Sequence, residues 1–389
     1  MDTTSDIILE LWKYVTSPCF PPPHHSHPVR RPRPGGLCPP TPPEDGGDTA
    51  RHITTACRHG DTDLTESSGW VAHLAAHPDD SAVFIIPDAT APDGPDTVRK
   101  NADTPLDIAS AAKAIHLLAY ADAITDGTID PDTPVPVSEW ESFYLPLDGG
   151  AHAAALARLG IDRREPSPGV AVAADPDTTV TLDYLVSTMI IESDNAAADW
   201  LADTLGEPAL TAAATRAGWD NPHIPNYLGS LLAVLDPDSA GNPDAASRRY
   251  REDPEWAATI LHRASGGCSE QRDILRGTAT ATAGDLAAVY TRLATGELGP
   301  AGDIARRHLE HTPAPGYTAI GHKGGSLPGV LADAMEIRRE DGTPAVAVLI
   351  STAIPEADYT DTLAAFAWQD LILQAVDSHD IREQLTCGE

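Results

Sequence analysis

The chain has 389 residues, and 58 acidic against 26 basic side chains give it a net charge of −32. A field of that sign repels phosphate backbones and anionic bilayers, which argues against a nucleic-acid binder and a peripheral membrane protein. The 41% apolar content still allows a core, mostly aliphatic because aromatics are 5%, and no apolar run is longer than that of Ala345 to Ile350, far too short to span a membrane. Residues 18–43 hold 11 of the 35 prolines together with His24, His25 and His27. Such a segment leans to polyproline II and buries too little apolar surface to order itself, so residues 1–60 read as a disordered Pro- and His-rich tail. Asp2 and Asp6 stand where a secretory leader would be basic, so the expected location is cytoplasmic. Cys19, Cys38, Cys57, Cys268 and Cys387 form no CxxC pair and indicate neither a disulfide framework nor a zinc site.

Folded structure is expected from about residue 61 to 380. A helix over Ser68–His77 leads into Ala82-Val83-Phe84-Ile85-Ile86, which reads as a strand. Pro105 disfavours helix just before it, and Ala109 to Ile124 then carries helix formers in apolar periodicity. A Pro- and Asp-rich connection, Asp126 to Pro136, precedes a helix over Thr181–Ile191 with Thr181 as its cap, and another over Ala196–Leu205. Further helices are expected near 208–217, 254–264, 284–296 and 302–310. Tyr317–His322, Val330–Ile337 and Ala345–Ser351 read as strands, with Asp341-Gly342 turning between the last two, and Thr360–Val376 closes as a helix. Runs of one element type followed by runs of another favour α+β, with the first strand joining the last three in one antiparallel sheet. This implies a sheet lobe of about 64–125 and 312–378 and a helical lobe of about 126–311.

Four lysines stand against 22 arginines: Lys13, Lys100, Lys113 and Lys323. Guanidinium stays charged, whereas an ammonium can be shifted toward neutrality, so lysine is the residue that can act as a base. Ser110 and Lys113 are three apart at a helix start, where hydroxyl and amine share a face and the backbone amides favour a developing oxyanion. Ser-x-x-Lys arises by chance in about one such chain in five. Ser193-Asp194-Asn195 falls at a helix junction and would alone pass for an N-cap. Lys323-Gly324-Gly325-Ser326 follows a strand, where glycines permit close approach of a ligand or a backbone. Chance agreement of all three, in this order, is well below about one in a thousand.

This ordered set resembles the serine β-lactamase and penicillin-binding protein superfamily, class A β-lactamases in particular, over roughly residues 64–378. The resemblance extends to Leu182–Gly206, which includes Ile191–Ala197 and Leu201 and is similar to the family's central helix pair, and to Gly277–Leu298, similar to the helix before the third motif. It implies that Ser110 is the acylated nucleophile, that Lys113 is its base or holds it in place, and that Ser193 passes a proton to the leaving group. It further implies that Asn195 holds a substrate amide, that Lys323 attracts a substrate carboxylate, and that the amides of Ser110 and Ser326 form an oxyanion hole beside Gly324 and Gly325.

Two departures stand out. Gly324 replaces the usual Thr of Lys-Thr-Gly, with Ser326 available as a substitute hydroxyl, and no Glu-x-x-Leu-Asn is present to place a deacylating water. Glu252, Glu255 and Glu270 fall in the right interval without that context and read as exposed acids. The region around Asp236–Asp253 is longer than the family norm, and with the two departures it resembles the β-lactamase-like proteins of actinobacterial clavam biosynthesis more than resistance enzymes. The expected function is a monomeric serine hydrolase that forms an acyl-enzyme on a small-molecule β-lactam, amide or ester. No cofactor, metal, nucleic acid or membrane insertion is expected. The alternatives are an esterase or transacylase of natural-product biosynthesis, and a ligand-binding protein without turnover.

Overall fold

The computed structural model describes residues 62–386 except 168, 264 and 312–315, so the tail expected over 1–60 lies outside the described residues. The architecture is organised by one sheet of six strands: β1 (Ser81–Ile86), β2 (Val98–Lys100), β3 (Glu310–His311), β4 (Tyr317–Leu327), β5 (Val330–Arg339) and β6 (Pro344–Ser351). Their order is β2-β1-β6-β5-β4-β3 and every pairing is antiparallel. The first strand therefore does join the last three, and the fold is α+β. Pro328-Gly329 closes the β4–β5 hairpin between the paired Leu327 and Val330, with Gly329 at φ +78°.

Both faces of the sheet are covered, which is why β1 and β6 read as unbroken apolar runs rather than alternations. On one face Val83, Ile85, Ala347 and Leu349 pack with Trp70 of α1 (Ser67–Ala76) and with Trp368, Leu371 and Ile372 of a C-terminal helix, Ala367–Asp377. The other face, with Ala82, Phe84, Val348 and Ile350, merges with the core of the helical region. That region includes α2 (Lys113–Thr125), α3 (Leu182–Ile191), α4 (Asn195–Leu205), α5 (Glu207–Arg216), α6 (Tyr227–Leu235), α7 (Cys268–Leu275), α8 (Ala283–Thr295) and α9 (Gly299–Leu309). Thr181 caps α3 by accepting from the Tyr184 amide at 3.3 Å.

Three expectations are corrected. The strand expected to end at His322 runs on to Leu327, because hydrogen bonding to β5 holds its glycines in register up to the hairpin. The closing helix is broken at Phe366, whose φ of +56° separates Tyr359–Ala365 from Ala367–Asp377. Cys268 is disulfide-bonded, while the other four cysteines lie outside the described residues. Helix α6 has no counterpart in the sequence reading. All nine of its residues are buried, so it lacks the polar face that makes a helical period visible. Among the described residues no helix is long and apolar enough to cross a membrane.

Candidate active site

The chain before α2 enters through a 3-10 turn, Ala109–Ala112, whose first residue sits at φ +48°. A left-handed alanine costs about 1 kcal/mol, and the cost is sustained where surrounding structure over-determines it. Here the Ile108 amide donates to Ala279 O at 2.8 Å on one side, and Lys113 begins α2 on the other. The turn and helix together put Lys113 Nζ 3.0 Å from Ser110 Oγ. Ser193 occupies the junction of α3 and α4 in a second left-handed conformation, φ +62°. That kink turns both its oxygens toward Lys113, which donates to Ser193 O at 2.7 Å, to Ser193 Oγ at 3.2 Å and to Asn195 Oδ1 at 2.6 Å. Lys323 arrives from β4 and donates to the same Ser193 Oγ at 3.0 Å and to Gly324 O at 2.8 Å. Two amines thus converge on one hydroxyl, and one of them also reaches the hydroxyl of Ser110.

The approach of β4 to the turn depends on Gly325. A Cβ there would lie 2.2 Å from Ile108 O and 2.6 Å from the amide nitrogens of Ser110 and Ala111. Strand β3 pairs with β4 only at Ile320 and Gly321, so the edge beyond is left to the turn. Leu327 and Val330 close a two-residue hairpin and are its hydrogen-bonded pair. By antiparallel alternation, Ser326, one residue back, directs its amide away from β5 and toward that same edge. The Ser110 amide belongs to the first turn of a helix, where N–H groups have no intrahelical partner.

Burial dominates the electrostatics. Lys113 is fully inaccessible, and Lys323 is 2% exposed. Burial and then the charge of Lys323 hold the Lys113 amine well below its ordinary range, with Asp194, Asp199 and Asp148 partly offsetting them. Burial likewise brings Lys323 down to about 7, opposed by Asp333. A neutral amine beside a serine hydroxyl is a competent proton acceptor near neutral pH.

Several supporting residues were not visible in the sequence. Asp194 caps α4 by accepting from the Ala197 amide at 2.6 Å, accepts from Trp140 Nε1 at 3.1 Å, and pairs with His152 Nδ1 at 2.9 Å. The other ring nitrogen of His152 lies 3.4 Å from Glu141 Oε1. Burial pulls His152 down, but Asp194, assisted by Glu141, outweighs it and raises the imidazole to about 9. Asp199 accepts from the amides of Tyr227 and Leu228 at 2.9 and 2.6 Å, fixing the start of α6. This delivers the Tyr227 ring to within 4.5 Å of Lys113 Nζ. No local pattern links positions 140, 152, 194 and 199; only the helix packing does. Asp194 was legible as part of Ser-Asp-Asn, but not as a hub.

Ser110, Ser193, Asn195, Gly324, Gly325 and Ser326 line one cavity of about 120 Å³, while Lys113 and Lys323 stand behind its wall. All eight residues singled out in the sequence therefore meet around this cavity. Asn195 spends its carbonyl oxygen on Lys113. Glu252, Glu255 and Glu270 are exposed and do not line it. Two carboxylates do. Asp148 accepts from the amides of Gly150 and His152 at 2.9 and 2.7 Å, and Glu192 is held bidentately by Arg158 at 2.5 and 2.9 Å.

A family model described as the beta-lactamase enzyme family matches residues 74–369. Among solved structures, a class A beta-lactamase from Mycobacterium abscessus is 17% identical with a TM-score of 0.50, over 80% of this chain and 100% of the other. A beta-lactamase from Sphaerobacter thermophilus is 19% identical with a TM-score of 0.49, over 81% and 97%. One from Chitinophaga pinensis is 15% identical with a TM-score of 0.48, over 78% and 98%. No curated protein matches the chain.

Proposed function

The chain belongs to the beta-lactamase enzyme family, and from that premise we propose that it is a serine hydrolase that is acylated on Ser110 by an ester, an amide or a β-lactam. One observation carries this reading: Lys113 Nζ is within hydrogen-bonding distance of both Ser110 Oγ and Ser193 Oγ, at 3.0 and 3.2 Å. Neutral Lys113 takes the proton of Ser110 as Oγ bonds to the substrate carbonyl carbon. The amides of Ser110 and Ser326 hold the oxyanion. As the carbon–nitrogen or carbon–oxygen bond breaks, the proton leaves Lys113 through Ser193 to the departing atom, and Lys113 is neutral again. Water then splits the acyl ester, releasing the acid and restoring the Ser110 hydroxyl.

The second half is expected to be slow. Both lining carboxylates are already engaged, Glu192 by Arg158 and Asp148 by two backbone amides. On the α6 side the neighbour of Lys113 is an aromatic ring and not a carboxylate: Tyr227 lines the cavity with its ring 4.5 Å from Lys113 Nζ. That observation favours a long-lived acyl-enzyme, and an acceptor alcohol or amine as an alternative to water. The test is incubation with a fluorescent penicillin and with an activated ester, followed by intact mass. A single adduct on Ser110 with at least one of the two probes, absent in Ser110→Ala, is expected. No adduct with either probe, or unchanged turnover in Ser110→Ala, sinks the reading.

A further inference from the structure

The walls of the cavity describe the group it accepts. Helix α6 presents Tyr227, Leu231 and Val234 at successive helical spacing along one side. Leu147, Leu275 and Leu327 line the other sides together with the neutral polar side chains of Gln271, Thr278 and Tyr359, and Ser230 stands on α6 between Tyr227 and Leu231. From Tyr227, beside Lys113, to Val234 the helix rises about 10 Å, so the apolar wall extends well beyond the reacting serine. Among the described residues lining the cavity there is no Lys or Arg, and the two acids among them are Asp148 and Glu192. Lys323, the cation that the family resemblance offers to a substrate carboxylate, lies behind the wall with Nζ directed at Ser193 Oγ and Gly324 O. Gly324 brings no hydroxyl to assist it.

A carboxylate entering this space would leave water, find no cation on the surface it meets, and face Asp148. Desolvating an unpaired charge is far costlier than burying methylenes, which is favourable. We propose that the cavity beside Ser110 receives an uncharged aliphatic acyl group of medium length and rejects an acyl group that ends in a carboxylate. The proposal rests on the acyl-enzyme reading above and narrows its substrate class to neutral acyl esters and amides.

The experiment uses the full chain with 4-nitrophenyl acetate, butyrate and hexanoate, and with the 4-nitrophenyl monoester of glutaric acid as the charged counterpart. The Ser110 acylation rate for each is divided by its hydroxide-catalysed rate, and the adduct is verified by mass. A fluorophosphonate probe reports separately whether Ser110 is nucleophilic. The expected result is a gain of about three- to fourfold per methylene from acetyl to hexanoyl, with the glutaryl ester on the order of 10²-fold slower than the butyryl ester. A labelled Ser110 with no chain-length dependence, or with the glutaryl ester preferred, overturns the substrate class and leaves the serine hydrolase standing. An unlabelled Ser110 with no acylation by any ester overturns both.

Discussion

Replacing Gly325 by alanine tests how closely the proposed catalytic geometry depends on the contact between strand and turn. The new methyl would stand 2.2 Å from Ile108 O, while ordinary contact begins near 3.4 Å, so β4 and the 3-10 turn must part by about 1.2 Å. Neither side can yield locally. The obstructing atoms are backbone, Ile108 is tied to Ala279, and β4 is locked in register with β5. The displacement therefore passes to the distance between the amides of Ser110 and Ser326 and to the reach of Lys323 toward Ser193. A misplacement of about 1 Å costs on the order of 10²-fold in rate, and overpacking costs roughly 1–3 kcal/mol of stability. Stopped-flow acylation by an activated ester measures the first effect and thermal unfolding the second. Acylation within about threefold of wild type, in a variant that still folds, would refute the argument that this glycine sets the oxyanion geometry.

Other outcomes follow from the buried charges. Asp194→Ala leaves a protonated His152 enclosed without its main partner, and a loss of about 3–5 kcal/mol in chemical denaturation is expected. Because the folded His152 value of about 9 lies above its ordinary 6.5, its contribution, on the order of 3 kcal/mol, is complete below pH 6.5 and is lost as pH rises through 9. The stability gap between wild type and His152→Gln should narrow across that window. If the reactive form has Lys113 neutral and Lys323 charged, kcat/KM is bell-shaped with its alkaline limb near the Lys323 value of about 7. Lys323→Arg should then remove that limb, and an unchanged limb excludes Lys323 as its source. Tyr227→Glu puts a carboxylate next to Lys113 and is expected to shorten the lifetime of the Ser110 adduct by about 10²-fold, read by mass over time.

Much of the fold was legible because its signals are local. Ala82–Ile86 and Ala345–Ile350 are apolar runs each bounded by a serine and a proline, Thr181 caps a helix, and Asp341-Gly342 turns a hairpin. Helix α6 was not legible, because its burial on every side erases the period by which a helix is read. The full length of β4 was not legible either, since Gly324-Gly325 looks like a turn until β5 supplies its hydrogen bonds. The break at Phe366 carries no proline or glycine to announce it.

For the site, the sequence alone singled out the groups proposed to carry the chemistry: a serine and a lysine one helical turn apart, a Ser-Asp-Asn junction, and a rare lysine before two glycines. Short-range geometry suffices there, since helical spacing alone brings Ser110 and Lys113 together. Tertiary structure alone decided that 110, 193 and 323 meet, that His152, Glu141 and Trp140 hold Asp194, and that Tyr227 occupies the place beside Lys113. It also decided the downward shift of both amines, because those shifts arise from burial and from charges contributed by distant segments. Desolvation belongs to the packed assembly rather than to any stretch of chain, so no local reading of residues could have supplied it.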